Sequence, residues 1–220
     1  MKKITKLFTM LVLSISLTAC GKSAKLPKAS PNPYSTFGVD KNINIETIDK
    51  YLGRSDSVYL DMRMLHDPAT YCDIGGDAYL SGTIEGFEVI PYPYLATVVG
   101  LPEAVGEGYK GDSLFTINDS GEYVANYKES LLIIEDLFPK DKNIFLMCGG
   151  GGYAMMTKNM LVALGYDEDR IYNIGGFWEY SGKNRVKINV TYGDGLQDYY
   201  AFHRLNYHVI EFKYLTPVGE

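Results

Sequence analysis

The chain of 220 residues is 46% hydrophobic and 22% charged, a globular composition that excludes disordered, collagen-like and coiled-coil chains. Its 21 lysines and arginines stand against 27 aspartates and glutamates, a formal net charge of −6, and no basic cluster indicates a nucleic-acid partner. Its three cysteines, Cys20, Cys72 and Cys148, are too few for a disulfide scaffold or a four-cysteine zinc site.

The first 19 residues have the pattern of a secretory signal peptide. Lysines precede an apolar run over residues 7–17, which is shorter than the roughly 20 apolar residues that span a bilayer. The run closes on Leu-Thr-Ala-Cys20, which resembles the lipobox of bacterial lipoproteins, where the chain is cut before an acylated cysteine. We therefore expect a leader over residues 1–19 and a lipid on Cys20 that anchors the protein to the extracytoplasmic face of the cell membrane. An ordinary signal peptide with an incidental cysteine is the alternative.

Residues 20–40 are rich in lysine, serine and proline without an apolar period, which predicts an extended tether. Beyond the tether, short apolar runs alternate with helical periods. The strands are predicted at residues 58–61, 87–90, 143–147 and 170–174, and the helices at 44–52, 127–138 and 154–164. Such alternation predicts an α/β fold, with a central parallel sheet and helices on both faces, in a domain over residues 41–185.

Two segments depart from this alternation. Residues of about 100–126 are rich in glycine and polar residues, and their Asn118-Asp119-Ser120-Gly121 is typical of a hairpin turn, so we expect an insertion there. In the tail, residues 186–192 alternate between apolar and polar side chains, and residues 207–215 are strand-like. Residues 186–220 are therefore predicted to form a β-rich C-terminal extension.

The chemistry of the sequence concentrates at Cys148, which ends an apolar strand and precedes a helix. Between them lie the loop residues Gly149, Gly150, Gly151, Gly152 and Tyr153. In α/β folds, sites form at the carboxyl ends of parallel strands, and the amino terminus of a helix offers N–H groups and partial positive charge. Glycines let the backbone curl so that these N–H groups reach the sulfur, which favours a nucleophilic thiolate. A buried, inert cysteine is the alternative.

Four segments, in this order, resemble the landmarks of the rhodanese-like domain family. They are Val58-Tyr59-Leu60-Asp61-Met62-Arg63, like its strand ending in Asp-x-Arg; Gly82-Thr83-Ile84-Glu85-Gly86-Phe87, like its Gly-His-Ile-Pro-Gly-Ala; Cys148 with Gly151, like its Cys-x-x-Gly-x-Arg; and Gly175-Gly176 with Trp178 and Gly182, like its Gly-Gly…Trp…Gly. The resemblance covers about residues 44–182 and implies a rhodanese-like fold. We expect Asp61 and Arg63 to support the loop and the sheet rather than to react.

The resemblance also implies a function, which is sulfur transfer. Cys148 would take a sulfane sulfur from a small donor such as thiosulfate or polysulfide, hold it as a persulfide and pass it to a thiol acceptor, without a metal or an organic cofactor. The loop from Cys148 to Tyr153 has six residues, like that of sulfurtransferase members, whereas phosphatase members of this fold have a longer loop. Tyr153 stands where many active members have arginine, and Thr83 and Glu85 replace a histidine and a proline of the second segment.

Two other functions stay open at this point. A catalytically inactive binding or regulatory module would keep the fold and the anion-binding loop, and Tyr153 in place of arginine favours it. A thiol-redox protein would pair Cys72 with Cys148 in an oxidising compartment. The three histidines lack zinc-like spacing to one another or to cysteine, so no metal site is predicted.

Overall fold

The protein is described by a computed structural model over residues 25–63, 82–97, 109, 111–187, 189–192, 198–201 and 208–219. The predicted leader, Cys20 and Cys72 lie outside these residues. Within them, no helix is both long and apolar enough to cross a membrane.

The strands of the described residues are, in chain order, β1 (Ser57–Asp61), β2 (Gly82–Ile84), β3 (Glu88–Val89), β4 (Phe115–Ile117), β5 (Tyr123–Ala125), β6 (Asn143–Cys148), β7 (Ile171–Gly176), β8 (Arg185–Lys187), β9 (Asn189–Tyr192) and β10 (Asp198–Ala201). The α-helices are α1 (Tyr92–Leu95), α2 (Ser130–Leu137) and α3 (Gly152–Ala163). Short 3-10 turns lie at Thr36–Gly38, Ile48–Lys50, Glu168–Arg170, Phe177–Glu179 and Phe212–Tyr214.

The centre of the fold is a parallel sheet of four strands in the order β3-β1-β6-β7. Strand β6 is buried from Ile144 to Cys148, because it lies between two neighbours and is covered on both faces. The pairing of β6 with β7 shifts register after Leu146, so that Cys148 lies opposite Gly176. The predicted α/β class is confirmed, with the cysteine at the carboxyl end of a central strand.

Alternate side chains of the strands enter two separate hydrophobic clusters on the two faces of the sheet. Leu146 and Cys148 belong to the cluster that α1, α2 and α3 cover, whereas Phe145 and Met147 belong to the other. In the described residues that second cluster is covered by Ile43, Ile45 and the 3-10 turn at Ile48–Lys50, together with Phe177 and Tyr180. Here the expectation of α-helices on both faces differs from the structure, which has a short turn where residues 44–52 were predicted to be helical.

The N-terminal arm, which we define as residues 27–40, packs along the edge strand β7. Asp40 N donates to Asn173 O at 2.7 Å, and the Tyr172 hydroxyl donates to Pro27 O at 2.6 Å. The first bond satisfies a backbone oxygen of the edge strand, and the second satisfies a carbonyl oxygen of the arm. This part of the expected tether is therefore folded onto the sheet rather than extended.

The insertion and the tail each contain part of what their sequence patterns predict. Strands β4 and β5 form the predicted antiparallel hairpin, and its turn residue Gly121 has φ of 81°. In the tail, β8 pairs with β2 and β9 with β10. The prediction of a strand at residues 207–215 is wrong over residues 208–215, where the structure has a 3-10 turn at Phe212–Tyr214 and no strand. Phe212 packs against the rings of Tyr94 and Tyr127 instead of pairing in a sheet.

Candidate active site

Cys148 lies at the junction of β6 and α3, and only 4% of it is exposed. Gly151, at the N-cap of α3, donates its backbone N–H to Cys148 Sγ over 3.1 Å. The backbone N–H groups of Ala154 and Tyr153 also stabilise the thiolate form. Gly151 has φ of 101°, in the left-handed region that glycine adopts most readily, and this turn aims the start of the helix at the sulfur.

The acidity of Cys148 differs from the expectation drawn from the sequence. Burial raises the pKa of this thiol above its ordinary value, and it outweighs the backbone N–H groups of Ala154, Gly151 and Tyr153, which lower that pKa. The negative charge of Asp61 raises the pKa further. The expectation of a thiolate-favouring, lowered pKa is therefore wrong. Removal from water destabilises the thiolate more than the backbone N–H groups stabilise it.

Asp61 and Arg63 form a buried ion pair at the carboxyl end of β1. Arg63 Nε lies 2.9 and 3.0 Å from the two carboxylate oxygens of Asp61, and Arg63 Nη2 donates to Gly82 O at 2.6 Å. The Thr83 hydroxyl donates to the same carboxylate at 3.0 Å, and the guanidinium lies 4.7 Å from the centre of the Phe177 ring. The pair thus connects the end of β1 to β2 and to the turn that follows β7.

Close packing leaves no room for a Cβ on Gly149 of the loop or on Gly176 at the end of β7 unless neighbouring atoms shift. A Cβ on Gly149 would lie 2.6 Å from the indole of Trp178, and one on Gly176 would lie 2.1 Å from Gly149 O. Trp178 N also donates to Gly149 O at 3.2 Å, while 48% of Trp178 remains exposed. The loop after Cys148 therefore packs tightly against the end of β7 and the indole of Trp178.

Tyr153 is buried in the first turn of α3. Its ring stacks on that of Tyr92, with ring centres 5.6 Å apart and planes 26° apart. Burial raises the pKa of Tyr153, as does the nearby Cys148. At the position where the resemblance leads one to look for arginine, the site therefore has a neutral ring that belongs to the core.

Sequence reasoning missed Asn173, a buried asparagine inside the apolar strand β7. Its side chain contacts the loop and the N-terminal arm, since Nδ2 donates to Gly151 O at 3.2 Å and to Phe37 O at 2.8 Å. An amide flanked by Tyr172 and Ile174 in a strand that is buried throughout was the signal that could have found it. Val39 of the arm, which lies beside Gly151 and Gly175, carried no such signal.

Of the three histidines, His208 is the one that lies in the described residues. His208 pairs with Glu88 at 2.6 Å, beside a groove of about 470 Å³ that Ser57 and Pro139 also line. Where the structure describes the chain, no group of three or more histidine, cysteine, aspartate or glutamate residues could hold a metal ion.

The comparisons with known proteins identify no relative. No family model, no curated protein and no solved structure matches the chain.

Proposed function

We propose that this chain is a rhodanese-like sulfurtransferase that carries sulfane sulfur as a persulfide on Cys148. The observation that carries the proposal is that the four resembling segments meet at the end of the sheet where Cys148 lies. Cys148 lies opposite Gly176, Trp178 packs on Gly149, and Arg63 binds both Asp61 and Gly82 O. Segments far apart in the chain thus build one set of contacts at the end of the sheet, which supports a shared role.

The reaction is a pair of displacements at sulfur. With thiosulfate, the Cys148 thiolate attacks the outer sulfur, a new S–S bond forms, and sulfite leaves with the electron pair of the broken S–S bond. A thiolate acceptor then attacks the terminal sulfur of the persulfide and releases the Cys148 thiolate. Each step conserves charge and needs no added oxidant, metal or organic cofactor.

The groups around Cys148 have different roles in this reaction. The N–H groups of Ala154, Gly151 and Tyr153 stabilise the attacking thiolate of Cys148. The thiol proton leaves to solvent before attack, and the raised pKa makes this step more demanding as the pH falls. The buried ion pair of Asp61 and Arg63 holds the neighbouring strand ends in place.

The same proposal includes a location and partners. A lipid on Cys20 attaches the domain to the outer face of the cell membrane, so the sulfur donor and the thiol acceptor are extracytoplasmic. Nothing in the net charge of −6 favours a nucleic-acid partner.

Mass spectrometry of the purified full chain tests the proposal. The protein is exposed separately to thiosulfate, a polysulfide and mercaptopyruvate, and peptides are then examined for one added sulfur. We expect that sulfur on Cys148 with at least one donor, and its loss after addition of a small thiol. Cys148→Ser serves as the control, and Cys72 must remain unloaded in that variant.

A second candidate function is a binding module without turnover, and specific observations favour it. Cys148 is 4% exposed, its pKa is raised, and the loop position that resembles an arginine site has the buried ring of Tyr153. A folded protein in which none of the three donors loads Cys148 would count against sulfur transfer and favour this function.

A further inference from the structure

One buried side chain, that of Asn173, connects the N-terminal arm to the candidate catalytic loop. Only 1% of Asn173 is exposed. Its Nδ2 donates to Phe37 O at 2.8 Å and to Gly151 O at 3.2 Å, while its Oδ1 accepts from Gly175 N at 3.0 Å. The two donors and the acceptor of the amide are thus shared among the arm, the loop and the end of β7.

Gly151 is the residue through which this contact reaches the sulfur. Its carbonyl oxygen accepts from Asn173 Nδ2 and, at 3.0 Å, from Met155 N. Its N–H donates to Cys148 Sγ at 3.1 Å. A glycine with φ of 101° has many other accessible conformations. Bonds to its carbonyl oxygen fix the peptide that follows it, which restricts the φ and ψ of Gly151 and so favours the conformation in which its N–H faces the sulfur.

Val39 of the arm also lies beside the same glycine. A Cβ on Gly151 would lie 3.6 Å from a methyl group of Val39, and one on Gly175 would lie 3.4 Å from the other methyl. Phe37, whose carbonyl oxygen accepts from Asn173, has φ of 62°, which residues other than glycine seldom adopt. Such conformations persist where the surroundings fix them, and they are enriched at functional sites.

We propose that Asn173 is a positioning residue for Cys148, and that the N-terminal arm is part of the active site because it fixes Asn173 and Gly151 together. The arm contributes through Phe37 O, which accepts from Asn173 Nδ2, and through Val39, which lies beside Gly151 and Gly175. The proposal rests on the proposed function and deepens it, since it names the residues that position the same cysteine.

The test measures the alkylation rate of Cys148 by iodoacetamide against pH in the full chain, with peptide mass spectrometry to assign each modified cysteine. Asn173→Ala removes all three side-chain bonds. We expect alkylation at fixed pH to slow by about tenfold and the profile to move to higher pH, because the thiolate loses a fixed donor. Val39→Ala should also slow alkylation and move the profile to higher pH, by a smaller amount.

Asn143→Ala is the matched control. Asn143 also donates its amide to a backbone oxygen, that of Asp56 at 3.0 Å, but at the opposite end of β6. Its alkylation profile should equal that of the wild type even where its thermal stability falls. A role of Asn173 in stability alone would lower the melting temperature and leave the profile in place.

Two results would overturn the proposal. One is an unchanged profile in folded Asn173→Ala, and the other is faster alkylation at every pH, which would make Asn173 a shield and not a positioning residue. If Asn173→Ala does not fold, Val39→Ala decides, and its unchanged profile overturns the proposal. Failure of all donors to load wild-type Cys148 would instead overturn the proposed function, and the alkylation result would stand.

Discussion

The backbone N–H of Gly151 lies 3.1 Å from Cys148 Sγ and donates to it, across the turn that joins β6 to α3. This bond depends on Gly151 adopting φ of 101°. Burial of the same sulfur raises the pKa of Cys148, whereas the bond lowers that pKa. The reactivity of the site therefore depends on how firmly a few glycine peptides are held.

The first prediction concerns Gly151→Ala. An alanine there has an unfavourable left-handed backbone, so we expect a loss of about 1 kcal/mol in the free energy of unfolding, measured with urea. We also expect slower loading of Cys148 with sulfur, because the residue escapes the strain by moving its N–H away from Sγ.

Gly121→Ala is the control for that change. Gly121 has φ of 81° in the hairpin turn and has no atom within 4 Å of an added Cβ, so its strain is comparable and lies far from the sulfur in the fold. Equal loss of sulfur loading in both variants would contradict the role given to Gly151.

The second prediction concerns pH and stability. The pKa of Cys148 is raised in the folded state, so the folded protein retains a proton that the unfolded chain releases near pH 9, the ordinary thiol value. This contribution to stability is complete below that pH and is lost as the pH rises further. The free energy of unfolding of the wild type should therefore fall more steeply above pH 9 than that of Cys148→Ala.

Comparing these two proteins cancels the contribution of the other buried tyrosines, which titrate in both, whereas Tyr153, whose pKa Cys148 raises, belongs to the difference. Parallel curves through the alkaline range would show that Cys148 titrates in the folded state as it does in the unfolded chain. That outcome would remove the basis for a buried neutral thiol.

The third prediction concerns Tyr153→Arg. A guanidinium beside Cys148 offers the thiolate a charge-assisted hydrogen bond worth roughly 1.5–3 kcal/mol, so alkylation at neutral pH should rise about tenfold or more. The variant also loses the ring stacking on Tyr92, and its melting temperature should fall. Tyr153→Phe keeps the ring and should change neither quantity markedly; a reactive, unstable Tyr153→Phe would contradict the packing role of the ring.

The fourth prediction concerns the leader and Cys20. With Cys20→Ala, fractionation of the producing cells should find the protein in the soluble or unprocessed fraction instead of the processed membrane fraction. Intact mass measurement of the unaltered protein should show an acylated amino-terminal cysteine. Membrane attachment and mass that do not depend on Cys20 would refute the lipoprotein proposal.

The sequence by itself determined the α/β class and the position of Cys148 at the end of a buried strand. It could do so because apolar runs, glycine stops and helical periods are local patterns: β6 buries a continuous run from Ile144 to Cys148, and α3 buries most of its residues. The hairpin at Asn118–Gly121 followed from turn chemistry in the same way. The chain also carried the four segments on which the proposed resemblance rests.

Only the tertiary structure decided the acidity of Cys148 and the partners of Gly151. Whether helix-end donors or burial controls a thiol depends on how much water reaches it, and that follows from packing against Tyr153 and the sheet. Asn173 and Val39 have their roles because the arm packs against β7. The bond between Asn173 and Phe37 joins residues that are more than a hundred positions apart in the chain. Such contacts have no periodicity, since they come from a fold that brings distant segments together.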